Sequence, residues 1–64
     1  MSKSKYSVSL VFEKIEDKGI DYAQRVMITD AVSEHEAIGI AYSHFRDKLK
    51  GYSLFLETTI KIEP

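Results

Sequence analysis

Apolar and polar residues alternate in three separate segments of the chain, and this pattern limits the fold more than any other feature. In the first segment, Tyr6–Glu13, every second residue is large and apolar. A period of two is the pattern of a β-strand with one buried face. The same alternation recurs over residues 22–29 and 52–63. The charged segment Glu16–Gly19 separates the first two stretches, so the sequence predicts a hairpin of two strands and, later in the chain, a third strand.

One helix is predicted between the second and third strands. Ser33 and Glu36 form a capping-box pattern, in which each side chain accepts a hydrogen bond from the backbone N–H of the other residue. Gly51 suits the left-handed position that follows a helix end, so the helix is predicted from Glu34 to Lys50. Its apolar residues recur at spacings of three and four: Ile38, Ala41, Tyr42, Phe45 and Leu49.

The order β-β-α-β predicts an α+β fold with a single domain over residues 6–64, preceded by a flexible N-terminus of residues 1–5. The third strand is expected beside the first, because antiparallel pairing is commoner than parallel pairing. We therefore expect a three-stranded antiparallel or mixed sheet in the order 2-1-3, with one helix packed on one face. Pro64 is expected to end the third strand.

The alternation also assigns strand residues to the two faces of the sheet. The positions expected to face the helix are Tyr6, Val8, Leu10, Phe12, Tyr22, Val26, Ile28, Leu54, Leu56 and Ile60, packed against Ile38, Ala41, Phe45 and Leu49. On the opposite face, Val11, Met27 and Phe55 are expected to form an apolar patch. Its expected rim consists of Ser9, Glu13, Arg25, Glu57 and Thr59.

An apolar patch with a polar rim is typical of a protein interface, so Val11, Met27, Phe55 and Arg25 are candidate interface residues. The alternative is that single exposed apolar residues are ordinary on protein surfaces. Ile40 is a further candidate, because a rotation of about 200° from Ile38 puts it on the outer side of the helix. The unpaired edge of the third strand is another, since the same strand of a second copy could add to it.

The size of the chain favours self-association. For 64 residues, apolar burial contributes roughly 95 kcal/mol. The lost conformational entropy, at roughly 1.5 kcal/mol per residue, is about as large. The chain contains no cysteine and therefore no disulfide. A homodimer is the expected source of further stability.

Composition and motifs disfavour several function classes. Nine basic and ten acidic residues give a net charge of -1, which provides no overall attraction to nucleic acid or to an anionic membrane. His35 and His44 are nine residues apart on the helix and point to nearly opposite sides, so they cannot share a metal. No glycine-rich phosphate loop, Ser/His/Asp set or calcium loop occurs. We expect no enzymatic activity, no cofactor and no bound metal.

The sequence lacks the continuous apolar run of a signal peptide or a membrane span. A cytoplasmic protein without membrane contact is therefore expected. The absence of cysteine is compatible with that reducing compartment.

In build, the chain resembles the small accessory proteins of bacteriophages and prophages. The resemblance rests on the short β-β-α-β unit, the helix start Ser33-Glu34-His35-Glu36-Ala37 and the lead Gly51-Tyr52-Ser53 into the last strand. It implies a stand-alone binder, often dimeric, that occupies a surface of a host or phage protein. The function expected first is a non-catalytic protein-interaction module, a homodimeric accessory or inhibitor protein.

A small nucleic-acid-binding regulator is the alternative function. Its dimer would combine Arg46, Lys48, Lys50 and the N-terminal lysines into a basic strip. Because phosphate contacts make binding depend steeply on salt, retention on a phosphate resin distinguishes the two functions.

Overall fold

The computed structural model describes residues 2–63, in which three strands form one sheet and one helix covers part of it. The elements are β1 (Ser4–Glu16), β2 (Gly19–Ala31), α1 (Glu34–Arg46) and β3 (Ser53–Glu63). β1 is central and pairs antiparallel with both neighbours, in the order β2-β1-β3. The predicted α+β fold and its strand order are confirmed. The predictions for Met1 and Pro64 concern positions outside the described residues.

The β1–β2 hairpin is longer than the alternation predicted. Each strand has 13 residues, and the loop between them consists of Asp17 and Lys18. Gly19, which follows the loop, has φ +141°, a conformation that favours glycine. At the far end of the hairpin, Ser4 and Lys5 pair with the last residues of β2. These two residues, expected in a flexible N-terminus, thus belong to β1 because β2 is long enough to pair with them.

The central strand supplies one row of the core. Tyr6, Val8, Leu10 and Phe12 are buried and face α1. Directly paired residues of neighbouring strands point to the same face of a sheet. Because Leu10 pairs with Arg25, the odd-numbered residues of β2 lie on the helix side.

The predicted helix-facing positions of Tyr22, Val26 and Ile28 are therefore wrong. These residues lie on the opposite face, and each is more than half exposed. The physical reason is the two-residue loop, which pairs Ile15 with Ile20 and so sets the register of the whole hairpin. A shift of one residue in register exchanges the two faces of a strand.

A register irregularity also changes the faces of β3. The β1–β3 pairing shifts between Val11 and Phe12, which leaves Phe55 as an extra residue in the ladder. Leu56 pairs with Val11, and both point away from the helix. The predicted helix-facing positions of Leu56 and Ile60 are wrong for this reason, and both residues are more than half exposed.

The start of α1 matches the prediction, with one difference in the capping box. The Ser33 hydroxyl accepts a hydrogen bond from the Glu36 backbone N–H at 3.1 Å. The Glu36 carboxylate accepts from the backbone N–H of Val32, also at 3.1 Å, rather than from that of Ser33. The reciprocal bond therefore reaches one residue further back.

The helix ends at Arg46, four residues before the predicted end at Lys50. The backbone N–H of Lys48 donates to the carbonyl of Phe45 at 3.0 Å, a three-residue spacing that tightens the chain into turns. Gly51 has φ +85°, so the prediction of a left-handed glycine is correct, but the residue lies in the turn before β3.

Small residues let the helix lie close to the sheet. The buried core consists of Tyr6, Val8, Leu10, Phe12, Ala31, Ala37 and Ala41. α1 thus contributes two alanines one turn apart, while its larger apolar residues sit at the margins of the core. Tyr42 stacks on Phe12 with ring centroids 6.2 Å apart, and Leu54 of β3 packs against the core as predicted.

α1, with 13 residues, is shorter than a bilayer is thick. Within residues 2–63, no helix combines the length and the apolar character needed to cross a membrane.

Candidate functional site: the outer face of the sheet

The sheet face that points away from α1 is apolar along most of its length. We call it the outer face; its apolar members are Val11, Ile15, Ile20, Tyr22, Val26, Ile28, Phe55, Leu56 and Ile60. Apart from Val11, these side chains are between 51% and 78% exposed. At on the order of 100 Å² for each exposed apolar side chain, they present roughly 800 Å². The largest apolar patch of a typical monomer is only about 300–600 Å².

The total surface of the chain is also large for its mass. The accessible surface is 4648 Å². A folded monomer of 7.3 kDa exposes about 4,200 Å² by the usual scaling of surface with mass. The excess has a simple structural cause, since one short helix covers one face of a three-stranded sheet and leaves the other face open.

The outer face is recessed along β1, because the side chains of the central strand are smaller than those of the two strands beside it. Ser7 and Ser9 occupy outer positions on the central strand, and the Ser9 hydroxyl accepts a hydrogen bond from the Gln24 side-chain amide at 3.0 Å. Ser7 pairs with Ile28 on one side and Ile60 on the other. Small side chains flanked by large ones form a shallow trough along β1 with apolar walls.

An aromatic pair closes one part of this trough. The rings of Tyr22 and Phe55 lie 5.7 Å apart at an interplanar angle of 52°. They belong to β2 and β3, the two strands that flank β1, so their contact lies above the central strand. Sequence reasoning missed Tyr22 because it was expected on the helix side; the pairing across the two-residue loop was the signal that would have placed it correctly.

The structure separates the predicted interface residues into two groups. Val11 and Phe55 lie on the outer face, as expected. The predicted outer position of Met27 is wrong, because Met27 pairs with Val8 and packs against the core. The predicted outer position of Arg25 is wrong for the same reason of register, and its guanidinium donates to the backbone carbonyl of its neighbour Gln24 at 2.8 Å.

The predicted rim divides in the same way. Ser9 and Glu13 lie on the outer face, whereas Glu57 and Thr59 pair with buried residues of β1 and lie on the helix side. Their expected rim positions are therefore wrong. Ile40 is exposed on α1, as expected, and the sheet lies between it and the outer face.

A polar contact joins the turn after α1 to the hairpin. The Tyr52 hydroxyl donates to the Asp21 carboxylate, and the ammonium of Lys14 lies 5.9 Å from the centre of the Tyr52 ring. The hydrogen bond to Asp21, assisted by partial burial and by the charges of Asp21 and Glu16, raises the pKa of the Tyr52 phenol above its ordinary value of 10.0. These contacts connect the residue before β3 to both strands of the hairpin.

The histidines show no shared site. His44 packs edge-on against Phe45 and lies 3.5 Å from the Lys48 ammonium. His35 lines an open groove of about 280 Å³ between α1 and β3, together with Ile38, Gly39, Tyr42 and Leu54. Across the described part of the chain, no three His, Asp or Glu side chains come together in a way that would hold a metal ion.

The outer face therefore carries most of the large exposed apolar side chains among the described residues. Comparison of the chain with protein-family models, with curated proteins and with solved structures finds no match.

Proposed function

We propose that the protein is a non-catalytic protein-interaction module that binds through its outer face. The observation that carries this proposal is the set of eight apolar side chains, each more than half exposed, on the sheet face opposite α1. Covering roughly 800 Å² of apolar surface yields about 20 kcal/mol. Association costs about 4–15 kcal/mol. The face is therefore large enough to support stable binding.

The distribution of charge on the outer face supports the same function. Lys5 and Asp30 pair at one end of the face, and Glu13 lies toward the other end, beside Tyr22. Most of the apolar side chains lie between these charges, and Ile15 and Ile20 lie beyond Glu13 at the hairpin loop. Protein interfaces have this composition, with an apolar and aromatic centre and a polar rim.

The alternative of nucleic-acid binding has weaker support. Tyr22 and Phe55 resemble a stacking platform, but Lys5 is the one basic residue that the described strand pairings place on the outer face, against Glu13 and Asp30. Single strands that stack on aromatic side chains also need a basic surface along the backbone. Arg46, expected in a basic strip, has its guanidinium 3.7 Å from Asp47.

An accessory or inhibitor protein of the bacteriophage type fits this mode of action, since such a protein works by occupying a surface. We extend the proposal to that class and to the cytoplasm. The absence of cysteine supports a reducing compartment.

Site-specific photocrosslinking in cells tests the proposal. A benzophenone amino acid is placed at Phe55 on the outer face and, in a matched control, at Ser43 on the exposed side of α1. A discrete adduct is expected from Phe55 and not from Ser43. Adding Ile60→Asp should abolish the Phe55 adduct, because a carboxylate would then have to be buried in the apolar interface.

The adduct pattern has two informative readings. A discrete Phe55 adduct that Ile60→Asp removes supports binding through the outer face. Absence of an adduct at Phe55, or equal adducts at Phe55 and Ser43, would overturn the proposal.

A further inference from the structure

We infer that the partner of the outer face is a second copy of this chain, stacked face to face with its strands reversed and with Ser9 on the two-fold axis. This inference rests on the proposed function and names the occupant of the same surface. The resulting dimer is a sandwich of two three-stranded sheets with a helix on each outside.

The area of the outer face fits a second copy. The roughly 800 Å² of exposed apolar surface is close to the total surface of about 800 Å² that each partner contributes to a standard stable interface. Two stacked sheets need apolar faces of matching length, whose side chains interdigitate at a sheet spacing of about 10 Å. A second copy supplies such a face with the same 13-residue strands.

Charge selects one of two ways to stack the copies. A two-fold axis that runs along the strands puts Glu13 opposite the partner subunit's Glu13, and Lys5 opposite the partner subunit's Lys5. An axis across the strands at Ser9 reverses the strands, and Glu13 then faces the partner subunit's Lys5. The second arrangement converts two repulsive pairs into two attractive ones.

On the central strand, the sizes of the side chains favour the same register. With Ser9 on the axis, Val11 faces the partner subunit's Ser7, so that a branched side chain enters the trough. On β3, Leu56 faces the partner subunit's Ile60; on β2, the Tyr22 hydroxyl lies toward the partner subunit's Asp30, a hydrogen-bond acceptor. Val11 opposite Ser7 places a large side chain against a small one, as close packing between two layers requires, and the Leu56–Ile60 contact buries two apolar side chains against each other.

Light scattering over a dilution series tests the inference with charge variants. The wild type is expected at twice the chain mass. Glu13→Lys and Lys5→Glu should each weaken the dimer by about tenfold at low salt, since each creates two like-charge pairs. An equimolar mixture of the two variants should recover the affinity, because every facing pair in the mixed dimer is then opposite in charge. Ser43→Lys on α1 is the control and should leave the affinity unchanged.

Each other result would overturn the inference in a defined way. A folded monomer at every concentration rules out the second copy and leaves the outer face free for another protein, so the proposed function survives. If Glu13→Lys and Lys5→Glu each leave the dimer affinity unchanged, the arrangement with reversed strands is ruled out. A dimer that also tolerates Val26→Asp, which places two carboxylates next to the axis, would use another surface such as the β3 edge.

Discussion

Replacing Gly39 with alanine is expected to stabilise the protein. Gly39 lies inside α1, is exposed, and a Cβ atom built there meets no other atom within 4 Å. Glycine inside a helix is less favourable than alanine by about 1 kcal/mol, mainly because the unfolded chain has more freedom to lose. With no steric cost to offset it, the whole difference should appear as stability. For a domain of this size it raises the midpoint of thermal unfolding by about 4–8 °C.

Thermal and urea unfolding followed by circular dichroism measure this effect. Variants are compared at one protein concentration, because the self-association proposed above would make the midpoint depend on concentration. Gly51→Ala is the matched control, since it makes the same chemical change where φ is +85° and the new Cβ lies 3.6 Å from Lys14 Cε. The left-handed backbone costs a non-glycine residue about 1–2 kcal/mol, so this control should lower the midpoint.

The same substitution, glycine to alanine, is thus expected to raise the unfolding midpoint at position 39 and to lower it at position 51. If Gly39→Ala lowered the midpoint, other atoms would occupy the space beside Gly39. That result would refute the description of α1 as open on this side. If Gly51→Ala left the midpoint unchanged, the turn before β3 would not need its left-handed residue.

Three further predictions follow from the assigned faces and contacts. Met27→Asp should cost about 3 kcal/mol or abolish folding, because it puts a charge against the core. Phe55→Asp should keep the fold, and equal urea midpoints for the two variants would contradict the assigned faces. The raised pKa of Tyr52 means that the folded state keeps the phenol proton above pH 10.0, where the unfolded chain releases it. The unfolding free energy should therefore fall as pH rises above that value, and less so in Tyr52→Phe; the same pH slope in both proteins would argue against the contact with Asp21. On a phosphate resin, the protein should elute without the steep salt dependence of a nucleic-acid binder, and strong retention released only by salt would favour the alternative function.

Local patterns predicted the elements of the fold, because alternation and capping depend on neighbours in the chain. The hairpin and the helix start at Ser33 came from such patterns, whereas the central position of β1 came from the general preference for antiparallel pairing. The faces of β1 were also predicted correctly, since most of its large apolar residues are even-numbered and therefore share one face. On β2, however, both the odd-numbered and the even-numbered residues include large apolar side chains. Alternation alone therefore could not decide whether Met27 or Val26 faces the core.

What decided the faces was geometry outside the strands. The two-residue loop sets the partner of every β2 residue, and the extra residue Phe55 does the same for β3. Hydrophobicity favoured putting the larger side chains of Tyr22 and Ile28 inside. The structure instead puts Ala23, Met27 and Ala31 on the helix side, where α1 approaches the sheet through Ala37 and Ala41.

The central position of β1 also sets the order in which the fold can assemble. β1 is made first, and its hairpin with β2 closes through a short local loop, an event that takes about 1–10 μs. Its other neighbour, β3, joins from the far end of the described chain, after the helix has been made. Pairing between such distant segments closes a longer loop than the hairpin does, so we expect it to be the slower step of folding. Until β3 pairs with β1, Leu10 and Phe12 lie in a two-stranded sheet in which one edge of β1 is unpaired. The burial of these residues of β1 is therefore completed only by β3.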